Sequence, residues 1–100
     1  MEQRESPSWV DINLTNLGVT RFIGNIGRTG AEIVYGAAPR VATIYGDGHV
    51  LASFVITGYT PVTPFNIDIS GVTILRIHYQ AIGPAHEGGV SLAMFDMYLQ

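Results

Sequence analysis

The strongest constraint on this chain is a period of two in its apolar residues, broken at short intervals by Gly, Asn, Asp and Pro. Val10, Ile12 and Leu14 alternate with Trp9, Asp11 and Asn13, and Phe65, Ile67 and Ile69 alternate with Asn66, Asp68 and Ser70. Successive side chains of an extended chain point to opposite faces, so this spacing makes strands with one buried face. No segment sustains a helical period, although residues 92–99 could be misread as a helical turn. An all-β, antiparallel fold of roughly six to eight strands is expected.

The interruptions divide into short and long. Asn16-Leu17-Gly18, Gly46-Asp47-Gly48 and Ser70-Gly71 are tight turns, and 41–45 with 50–57 should form a hairpin about the second of them. Residues 27–39, 58–63 and 80–89 are longer connections, and Ile33-Val34-Tyr35 gives the first of these room for a small strand of its own. On the strand spanning 72–79, Leu75, Ile77 and Tyr79 are expected to face the core while Arg76 and His78 point away. Trp9 is expected to plug the core or its edge, because an indole buries so much area, and the alternative for it is a stacking platform. Residues 1–8 read as a polar arm, and 9–100 as a single domain.

Composition excludes several functions. The five basic residues are all arginine and the net charge is −3, so no cationic stripe is present to meet phosphates, and no nucleic-acid partner is expected. Apolar runs such as Phe54-Val55-Ile56 are too short to cross a bilayer, no basic-then-apolar leader precedes Trp9, and no membrane partner is expected. With no cysteine there is no thiolate metal site and no disulfide. His49, His78 and His86 fit no local metal-ligand spacing, and Asp47 is better placed to form its turn than to bind calcium. Gly24, Gly27 and Gly30 lack the order, the lysine and the helix of a nucleotide loop. Ser91 lacks a nucleophile elbow. A non-enzyme without cofactors is expected.

Three stretches go further when taken in order. They are Thr20-Arg21-Phe22-Ile23 leading to Ile26-Gly27, then Ile44-Tyr45-Gly46-Asp47-Gly48-His49-Val50-Leu51, then the segment Phe65-Asn66-Ile67-Asp68-Ile69-Ser70-Gly71-Val72-Thr73-Ile74-Leu75-Arg76-Ile77. Together they resemble the NPCBM family of carbohydrate-binding modules, galactose-binding-like β-sandwiches. The resemblance implies a jelly-roll-like sandwich, a glycan partner, and an extracellular or cell-surface setting. The late loop, Ala85-His86-Glu87-Gly88-Gly89, lacks the tryptophan usual in that family.

If consecutive strands run antiparallel, the three long connections share one end of the sandwich, and binding residues concentrate on such loops. Tyr35 and Tyr59 are the candidate platforms for a sugar ring, with Arg28, His86 and Glu87 as polar partners. The alternative is an interaction or self-assembly domain without sugar binding. Only 13% of residues are charged, against roughly 25% in an average domain. Only eight polar residues precede the first strand, where the family has a further segment. A homodimer or higher homo-oligomer that covers an open strand edge is therefore expected.

Overall fold

The alternation resolves into seven strands in two antiparallel sheets, with no helix among the described residues of a computed structural model, 8–28, 40–57, 61–81 and 92–100. In chain order they are β1 (Ser8–Asn13), β2 (Arg21–Arg28), β3 (Arg40–Gly46), β4 (His49–Ile56), β5 (Thr63–Asp68), β6 (Ile74–Ala81) and β7 (Leu92–Leu99). One sheet has the order β1-β6-β3-β4 and the other β5-β2-β7. The fold is an all-β sandwich, as the period of two predicts.

Every strand inside the sandwich contributes its inward parity to one core. Ala42 and Ile44 of β3, Leu75 and Ile77 of β6, Phe22 and Ile26 of β2, and Phe65 and Ile67 of β5 are all buried. Each large side chain so removed from water stabilises the fold by about 1.5–3 kcal/mol before entropy is charged against it. Phe54 meets Phe65 from the opposite sheet at 5.8 Å between ring centroids, and Phe22 meets Phe65 edge-on at 5.0 Å. Gly24 makes the second contact feasible. A Cβ there would lie 2.8 Å from Phe65 Cζ and 2.9 Å from Met97 Cγ, so this strand position must be bare for the aromatic ring to lie across it.

The β3–β4 hairpin turns at Asp47 and Gly48, whose φ values of 50° and 85° are those of a type I′ turn. The same aspartate ties the turn to β6. Its carboxylate accepts hydrogen bonds from the backbone N–H of Ile74 at 2.8 Å and of Thr73 at 3.0 Å, and its own N–H donates to the Ile74 carbonyl at 2.9 Å. Those amides hold the carboxyl below its ordinary titration range.

The register of the sheets places the ends of the long connections together. Arg28 lies opposite Leu92, Ile26 opposite Thr63, and Arg40 opposite both Ile56 and Ala81. The turns after β1, β3 and β5 lie at the other end. Trp9 corrects the expectation made for it: it is 57% exposed. It shares its parity with Asp11 and Asn13 on an edge strand, and the opposite parity of β1 belongs to Ile12, half-buried, and to Val10, which stays exposed at this edge.

Candidate binding face on the four-stranded sheet

Outward parity on β1, β6 and β3 brings together side chains that are far apart in sequence. Trp9 pairs with His78, and His78 with Thr43; one row along, Asp11 pairs with Arg76, and Arg76 with Tyr45. Cross-strand neighbours on one face stand close enough to interact directly. The Trp9 and His78 rings lie within 14° of parallel at 6.5 Å between centroids, and Tyr45 meets His78 nearly perpendicularly at 6.2 Å. A cleft of ≈ 560 Å³ opens beside them, lined by Tyr45, Asp47, Gly48, Ile74, Arg76 and His78.

Arg76 is fixed in the middle of this face. Its Nε and Nη2 donate to the two carboxylate oxygens of Asp11 at 2.7 and 2.9 Å, a bidentate pair. Its guanidinium carbon also sits 5.4 Å from the Trp9 ring centroid, within cation–π range. The hydrogen bond from Arg76 holds the Asp11 carboxyl below its ordinary range and raises the guanidinium in turn. Both side chains keep contact with water, at 44% and 40% exposure, so the pair orders the face more than it stabilises the fold.

This arrangement has the chemistry that a recognition surface needs. It offers aromatic area to the C–H side of a ring, flanked by hydrogen-bonding groups held in fixed positions. Among the described residues, no three His, Cys, Asp or Glu side chains gather to hold a metal ion.

Two further concavities are shallower or drier. On the outer face of the three-stranded sheet, Asn25, Asn66, Asp96 and Tyr98 border a depression of ≈ 530 Å³. Between the β1 and β7 edges, Ile12, Phe22, Ile77, Met97, Tyr98 and Leu99 line an apolar slot of ≈ 180 Å³.

The residues expected to form a loop-end site meet a different outcome. The Arg28 backbone closes β2, but the Arg28 side chain and all of Tyr35, Tyr59, His86 and Glu87 lie outside the described residues. Apart from Trp9, the sheet-face residues are not among the platforms and polar partners expected from the sequence. The outward parity of Arg76 and His78 is readable in the sequence, but their meeting with Trp9 and Asp11 depends on pairing β1 with β6.

Comparison of the sequence with protein families and with curated proteins finds no match. Comparison of the fold finds CBM51 carbohydrate-binding modules of ZmpB from Clostridium perfringens. One solved structure holds the M60 catalytic domain with the CBM51-1 and CBM51-2 domains, and matches with a TM-score of 0.58 at 15% identity over 85% of this chain. Another, of the CBM51-2 and INT domains, matches with a TM-score of 0.59, again at 15% identity over 85% of the chain. The matched regions span 10% and 20% of those two longer chains. At that identity the likeness is one of fold.

Proposed function

We propose that this chain is a non-catalytic carbohydrate-binding module that recognises a glycan on the outer face of its four-stranded sheet. The observation that carries the reading is the exposed Trp9, aligned with His78 and flanked by an Arg76 that Asp11 holds in place. The fold shared with CBM51 modules supports it, as does the motif order that resembles the NPCBM family. An extracellular or cell-surface setting belongs to the same proposal, because that is where such glycans are displayed. Glycan-array binding followed by calorimetry tests it: Trp9→Ala should abolish a signal that the parent protein gives. A signal that survives Trp9→Ala but disappears with Tyr59→Ala or Arg28→Ala would move the site to the long-connection end, with Tyr35, His86 and Glu87.

The second reading is self-assembly through the β1/β7 side, and the apolar slot there favours it. Val10, Met97 and Tyr98 are 49%, 45% and 55% exposed along these edges, and two copies could bury them against each other. Light scattering at tens of micromolar should then report a dimer that Met97→Glu dissociates. A monomer at that concentration removes this reading and leaves the first untouched.

A further inference from the structure

Resting on the sheet face as the glycan platform, we infer that its ligand is an interior stretch of an uncharged polysaccharide laid across the strands, and that Asp11 sets this preference. Two independent observations point there. The first is the shape of the face. Its outward rows begin at Trp9 and Asp11 on β1 and run through β6 and β3 to Val50 and Ser53 on β4, and β1 and β4 are the two edges of the sheet. Among the described residues no further strand of this sheet lies beyond either end of the rows. A site for a chain terminus needs an end wall, whereas a track open at both sheet edges admits a chain that continues past it. Three strand spacings make the track about 14 Å wide, so consecutive residues of a polymer can lie on it together.

The second observation is the state of Arg76. A free guanidinium fork is the usual partner of a carboxylate, because two parallel N–H groups match its two oxygens. Here that fork is already filled by Asp11, through Nε and Nη2. With Asp47 at the rim of the cleft and a net charge of −3 on the chain, an acidic sugar would meet repulsion and find no open fork. An uncharged sugar pays no such penalty. It can stack on the indole and take hydrogen bonds from the Arg76 nitrogen that Asp11 leaves available.

Affinity gel electrophoresis of the full chain tests this with soluble galactomannan, xyloglucan and mixed-linkage β-glucan as neutral probes, and polygalacturonate and hyaluronan as acidic ones. At least one neutral polymer should retard the protein at low salt while the acidic polymers do not, and the sugars at its chain ends should fail to compete. Asp11→Asn should gain about tenfold or more in affinity for polygalacturonate, the worth of a freed charge-assisted fork, and high salt should erase the gain. Circular dichroism would confirm that this exposed edge-strand variant keeps its strands. Equal retardation by acidic polymers, competition by terminal sugars, or an Asp11→Asn variant that gains nothing for polygalacturonate would overturn the inference. If such binding still needs Trp9, the proposed function survives. Absence of binding to any glycan on the array would remove both.

Discussion

Gly24 and Phe65 occupy what is nearly one volume, and a single methyl group separates fit from overlap. Gly24→Ala sets its Cβ against both Phe65 and Met97, so it should destabilise the protein by about 1–3 kcal/mol, the usual cost of overpacking. Leu75→Ala and Ile77→Ala should cost more, about 2–5 kcal/mol each, because both side chains are buried and leave cavities. Urea denaturation midpoints check all three; a loss below about 1 kcal/mol at Leu75 and Ile77 together would contradict the register of β6. The parity of β6 was legible from alternation alone. That of Trp9 was also written there, since it steps in time with Asp11 and Asn13, but an argument from side-chain size outweighed the pattern. On an edge strand the pattern is the better guide, because the outer face has no second layer to receive an indole.

At the scale of elements, the hairpin between β3 and β4 shows how one residue can serve two neighbours. Gly46-Asp47-Gly48 announces a tight turn, and the turn is there. The sequence does not reveal that the Asp47 carboxylate also caps the entry to β6, 26 residues on at Thr73. The same limit hid the candidate binding face, whose members come from strands that only the sheet order brings together. Asp47, Asp11 and Asp68 all titrate below their ordinary range, through backbone amides, Arg76 and Ser70 respectively. A carboxylate with a depressed folded-state pKa contributes stability that is complete above its unfolded value, roughly 3.9, and is lost as pH falls through the folded value. Denaturation midpoints should therefore be flat from about pH 7 to 5 and fall below about pH 4. Asp47→Asn should be less stable at neutral pH and show a shallower acid decline than the parent protein.

At the scale of the whole molecule, local pattern gives the strands and turns, and the pairing of distant strands gives the face. Sequence reasoning placed the three long connections at one end, and the register of the strands that bound them agrees. The residues named on those connections await the Tyr59 and Arg28 variants. The β1–β6 pairing has a consequence in time. Asp11 and Arg76 are 65 positions apart, so at about 5–20 residues per second a ribosome leaves β1 without its partner for roughly 3–13 s. Its docking closes a long loop, and such contacts form late because their entropy must be spent before they repay it. Stopped-flow kinetics should show Ile12→Ala on β1 speeding unfolding while leaving the refolding rate nearly unchanged, and Ile44→Ala on β3 slowing refolding. The strand that carries Trp9 is then assembled late, and the candidate face exists only once β6 has been made to receive it.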